Sequence, residues 1–94
     1  MEAKEKYNLE FKAKVAKTFL KTVSAYANYN DGEIIFGIDD NGDLTGINAA
    51  KDESLRIENM INDSIAPVPD FGIEVREIDK KEIIILGVKK GKDT

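Results

Sequence analysis

The run EIIILGV, Glu82 to Val88, constrains this chain more than any other stretch. Isoleucine and leucine without interruption over so short a span suit a central β-strand, and such a strand needs a ladder partner on each side. EIIFGI, Glu33 to Ile38, is a second run of the same kind, too short and too rich in β-branched and aromatic residues for a helix. A chain of 94 residues, 41% of them hydrophobic, has material for one modest core around such strands and none for a second domain. Residues 1–94 are therefore read as a single domain. KKGKDT follows the most apolar strand directly. The expectation is that the domain continues beyond Thr94 and precedes further C-terminal domains.

The rest of the chain supplies what covers these strands. YNLEFKA alternates, with Tyr7, Leu9 and Phe11 on one side and Asn8, Glu10 and Lys12 on the other, as in a short strand covered on one face. From Lys12 to Asn28 the period becomes helical. Val15, Phe19, Val23 and Tyr26 form an apolar stripe, and Lys14, Lys17 and Lys21 line the opposite face. DDNGDLTGI reads as a hairpin return turning on Asn41-Gly42. DESLRIENMINDSI is again helical through Ile57, Met60, Ile61 and Ile65, with Asp52 placed as its N-cap and Pro67 and Pro69 ending it. FGIEVREI alternates and leads through a turn into the final strand. The predicted fold is α+β, a mixed sheet with two packed helices in the order β-α-β-β-α-β-β.

Composition removes several chemistries. Cysteine and histidine are both absent, which excludes disulfides, thiolate metal sites and imidazole bases and leaves carboxylates, lysines and hydroxyls. With no secretory h-region and no membrane-length run, the chain is read as soluble and cytoplasmic, with no membrane partner. The net charge of −4 is unevenly spread. Met1 to Asn30 holds six lysines against three glutamates, and Asp31 to Thr94 holds eight basic against fifteen acidic residues. No acidic residue lies between Phe11 and Asn30, so the lysine ridge lacks a local helical partner and is available to phosphates. Lys12, Lys14, Lys17 and Lys21 are the candidate nucleic-acid contacts.

The aspartate pair Asp39-Asp40 is a candidate site or a hairpin cap. A calcium loop starting at Asp39 fails, because Leu44 and Ala50 stand where a glycine and a glutamate belong. YNDGEIIFG lacks the P-loop pattern and lies between helix and strand, the reverse of the P-loop order.

LEFK, followed about one helix later by AYANYNDGEIIFGIDDNGDLTGI, resembles the Schlafen AlbA-type DNA-binding domain family, with the likeness running from Glu5 to Val88. Asp31 and Tyr26 depart from it, standing where the family usually has a glycine and a phenylalanine. The resemblance implies a DNA-binding domain of a transcriptional regulator, with DNA or RNA as partner. In the family's nuclease branch three acids form a metal-dependent RNA-cleaving site. Carried over, these fall on Glu5, Glu10 and Asp40, which would hold Mg²⁺ or Mn²⁺ in an endoribonuclease. Five residues apart on a regular strand, Glu5 and Glu10 face opposite ways, so convergence requires a bend near Lys6 or Tyr7. A third reading is an acidic protein-interaction domain with a merely solvated ridge. Association into a homo-oligomer is a further expectation.

Overall fold

A computed structural model describes residues 8–91. Its elements are β1 (Leu9–Lys12), α1 (Phe19–Asn28), β2 (Gly32–Phe36), α2 (Ala50–Ser64), β3 (Phe71–Ile78) and β4 (Lys81–Val88). The four strands form one sheet in the order β1-β2-β4-β3, parallel between β1 and β2 and antiparallel elsewhere. The α+β class, the mixed sheet and the two helices expected from the sequence are all present. β4 lies between β2 and β3, so the most apolar run has a partner on both sides. The return strand of the hairpin after β2 is present as the single Ile38–Leu44 bridge.

Both helices sit on one face of the sheet. Phe19, Val23 and Tyr26 of α1 and Ile57 and Ile61 of α2 enclose a buried cluster with Ile34 and Phe36 of β2 and Ile84, Leu86 and Val88 of β4. The spacings within each helix are those of a single buried stripe. Phe19 meets Phe36 edge to face, with centroids 5.5 Å apart and planes at 89°, the arrangement that aligns ring quadrupoles favourably.

Several boundaries differ from the sequence reading. α1 begins at Phe19 rather than near Lys12. Lys12 is held in the parallel ladder opposite Phe36, and its carbonyl accepts the Gly37 amide at 2.7 Å. The chain then uses residues 13–18 to climb from sheet to helix layer. The helical period persists through this connection because Val15 packs against the core from it. α2 begins at Ala50 after a left-handed Ala49, with no side-chain cap, so Asp52 is not its N-cap. Asp52 and Glu53 occupy the first turn instead, where they complement the helix dipole.

The hairpin after β2 also turns differently. The Gly42 amide donates to the Asp39 carbonyl at 2.9 Å, which puts Asp40-Asn41 at the corner and Gly42, at φ 87°, in the left-handed position after it. Asn-Gly is therefore not the central pair. The cause is Asp39, whose Oδ1 accepts the amides of Asn41 at 2.9 Å and Asp43 at 3.0 Å. A carboxylate bonding the backbone just ahead of it sets the corner one residue earlier.

A candidate nucleic-acid interface

Because β1 and β2 run parallel and α1 crosses between them, the N-terminal end of α1 lies over the carboxyl ends of both strands. The hairpin after β2 leaves from this end too, and the Thr45 hydroxyl reaches the Ala13 carbonyl at 3.5 Å. The β3–β4 turn adjoins it, with the Ile47 amide on the Glu82 carbonyl at 2.8 Å and Lys81 Nζ on the Leu44 carbonyl at 3.2 Å. One end of the sheet thus gathers the β1–α1 connection, the start of α1 and two turns.

The candidate lysines do not form one helical ridge. Lys12 is on β1, Lys14 and Lys17 are in the connection and Lys21 alone is on α1. Lys14, Lys17 and Lys21 are exposed, and none forms an ion pair among the described residues. Lys17 and Lys21 bracket the helix start along the chain and Lys14 precedes it by five residues, and with no acidic residue in the first turn nothing there offsets the positive end of the dipole. The amides of Phe19, Leu20 and Lys21 are already turned back onto the carbonyls of Ala16, Lys17 and Thr18. Side-chain ammoniums, rather than free amides, are what this corner offers an anion.

Lys12 differs from the other three. It is only 21% exposed and pairs with Glu10 Oε2 at 2.8 Å. The partner missing from the helix comes from the strand, two residues back. In the parallel register Glu10 lies beside Ile34 and Lys12 beside Phe36, so both side chains are on the face that carries the helices. There Thr22 of α1 donates its hydroxyl to Glu10 Oε1 at 3.2 Å. Nothing in the local pattern of β1 pointed to Thr22, since the contact depends on how α1 lies across the strand.

Of the three candidate acids, Glu5 lies outside the described residues. Asp40 is exposed at the hairpin corner and makes no hydrogen bond or ion pair with the described residues, whereas Asp39 is the turn's anchor. Among the described residues no group of three acidic side chains could hold a metal ion. Glu10 has an ammonium on one oxygen and a hydroxyl on the other, so Mg²⁺ or Mn²⁺ would have to displace Lys12 to reach it. Glu10 and Asp40 without Glu5 do not make up a three-carboxylate set.

Asp31, at the turn into β2, does not stand free beside a would-be anion site. Its Oδ1 accepts the Lys90 amide at 2.6 Å and ties the segment after β4 to the start of β2. Nearby, at the end of the sheet remote from the lysines, a groove of about 620 Å³ runs between Ser24, Ala27 and Asn28 of α1 and the segment Ile65 to Asp70. No helix of the described residues is long and apolar enough to cross a membrane.

The fold is shared with the N-terminal domain of a RecG-related protein from Nitrosomonas europaea, solved in solution, at a TM-score of 0.78 and 18% identity. The match covers 94% of this chain and 66% of that one, so the chain spans less than two thirds of that domain's length. No curated protein matches the chain. The Schlafen AlbA_2 family model matches residues 1–94, and with E-F-K on β1, the helix end before Gly32 and the hairpin aspartates in their places, the chain belongs to that family.

Proposed function

We propose that this domain binds nucleic acid as the DNA-contacting part of a transcriptional regulator, using Lys14, Lys17 and Lys21 on phosphates, with Lys12 at the margin of the contact. The observation that carries the reading is the corner itself: three exposed lysines that form no ion pair among the described residues, at a helix start that lacks acidic residues. Asp31 to Thr94 holds fifteen acidic against eight basic residues, so the net field of that part of the chain favours approach of a polyanion to the basic N-terminal third. The family and a fold shared with a protein named after a DNA helicase are consistent with this role. The ion pair between Glu10 and Lys12 favours binding over metal-dependent cleavage, since it neutralises the carboxylate a metal would need.

The test is a titration of labelled single- and double-stranded DNA and RNA at two salt concentrations. Each lysine–phosphate contact contributes about 0.9 to the slope of log K against log salt on duplex DNA and about 0.7 on single strands. Changing Lys14, Lys17 and Lys21 together to Ala should lower that slope by roughly two to three units. An unchanged slope in the triple variant would refute the assignment. Absence of binding at low salt would leave the protein-interaction reading in its place.

A further inference from the structure

Among the described residues β3 is an outer strand eight residues long, and its far side presents main-chain groups that the sheet of these residues does not use. Asp79 and Lys80, both left-handed, make the two-residue turn into β4. Ile78 and Lys81 are therefore a hydrogen-bonded pair, and the ladder repeats this at every second residue. Gly72, Glu74, Arg76 and Ile78 turn their main-chain groups toward β4, and Ile73, Val75 and Glu77 turn theirs outward. By register, Ile73 and Val75 project beside Leu86 and Ile84 on the helix-bearing face, while Gly72, Glu74, Arg76 and Ile78 project on the other. Val75 and Ile78 are among the few large hydrophobic side chains left exposed, at 38% and 40%.

We infer that β3 pairs antiparallel with β3 of a second copy of this chain, Val75 opposite Val75 on the two-fold axis. The register follows from charge and hydrogen-bonding phase together. With Val75 on the axis, Ile73 faces Glu77 of the second copy, and the outward main-chain groups of Ile73, Val75 and Glu77 form about six hydrogen bonds. Glu74 then faces Arg76 of the second copy, and Arg76 faces its Glu74. Both are non-hydrogen-bonded pairs, where side chains come closest. Moving the axis to Glu74 or to Arg76 would set like charges opposite each other. The guanidinium of Arg76 already holds Glu74 Oε2 at 2.7 Å within the strand, so the two charges are presented side by side for this exchange.

The exposed apolar groups are covered in the same register. Val75 meets Val75. Ile78 lies opposite Gly72 of the second copy, where a Cβ would find nothing within 4 Å and a neighbouring side chain has room. A two-fold axis perpendicular to the sheet keeps the faces matched, so the two sheets join as one with all helices on the same side. The residues of this pairing and the lysines belong to different elements, so the inference does not rest on the nucleic-acid reading.

Sedimentation velocity on the chain, carried to high concentration, should show a monomer–dimer equilibrium. Arg76→Glu sets Glu74 against a new acid, Glu74→Arg sets two cations opposite each other, and each change should weaken association by about tenfold or more. An equimolar mixture of the two variants should restore it as a heterodimer, since one chain then carries both cations and the other both acids. Circular dichroism checks that each variant remains folded; both positions are exposed. A monomer at every concentration would overturn the inference, as would a dimer indifferent to either reversal, or variants that associate no better mixed than alone.

Discussion

Gly32 opens β2 opposite Val88, with its α-carbon against the ring of Tyr26. A Cβ built there would stand 2.6 Å from Cδ1, Cδ2 and Cε1 of that ring, far inside van der Waals contact. The ring has little freedom to move, since Tyr26 is only 4% exposed and packs within the central cluster. Gly32→Ala therefore overpacks the junction of α1 and β2. Overpacking of this kind costs about 1–3 kcal/mol, and the lower unfolded-state entropy of alanine returns roughly 0.5–1 kcal/mol. The net loss should be about 1–2 kcal/mol, or a fall in Tm of roughly 5–15 °C for a domain of this size. Thermal and urea unfolding by circular dichroism, with unchanged m, is the assay. Gly72→Ala and Gly87→Ala are controls, because a Cβ at either meets nothing within 4 Å, and both should be neutral or slightly stabilising. In a Tyr26→Leu background the cost of Gly32→Ala should shrink, giving a coupling between the positions. A Gly32→Ala protein as stable as the parent would refute the argument.

The two hairpin aspartates should separate cleanly. Asp39→Ala removes the acceptor of the Asn41 and Asp43 amides and should cost about 1 kcal/mol in chemical unfolding, while Asp40→Ala should change stability little; equal effects would contradict the roles seen in the turn. Glu10→Gln keeps an acceptor for Thr22 but releases Lys12 from its ion pair, so affinity for DNA at low salt should rise severalfold. In the same series Mn²⁺ should leave the Tm of the parent unchanged, and a rise abolished by Glu10→Gln and Asp40→Ala would instead establish the three-carboxylate site.

What the sequence disclosed follows from which forces are local. β3 and β4 were legible almost to the residue, because alternation in FGIEVREI and continuity in EIIILGV follow directly from one-sided and two-sided burial. The stripe Phe19, Val23 and Tyr26 was legible for the same reason. The start of α1 was not, because the parallel ladder that holds Lys12 depends on β2, twenty-odd residues downstream, and Val15 continues the apolar rhythm through a connection that is not helical. The hairpin was misread at its centre because the Asn-Gly preference competes with the Asp39 carboxylate, and two bonds to an ionised acceptor outweigh a turn propensity. The helical ridge read from Lys14, Lys17 and Lys21 is not one helix face, because Lys14 and Lys17 lie in the connection between layers and Lys21 alone is on α1.

One-sided cover of the alternating strand LEFK would ordinarily set Leu9 and Phe11 against the helices, with Glu10 and Lys12 toward solvent. Register with β2 places them the other way, Glu10 beside Ile34 and Lys12 beside Phe36, on the side where α1 lies. Phe11 is nonetheless buried, apart from the central cluster and on the opposite face. An edge strand at the rim of a helix layer can turn polar residues inward when each finds a partner, and here Thr22 and the charges of Glu10 and Lys12 satisfy one another. Glu10 so held is a positioning group for Lys12. It fixes one cation beside the climb that carries Lys14 and Lys17, while these exposed lysines, uncompensated by any acid of their own segment, are left to meet phosphate.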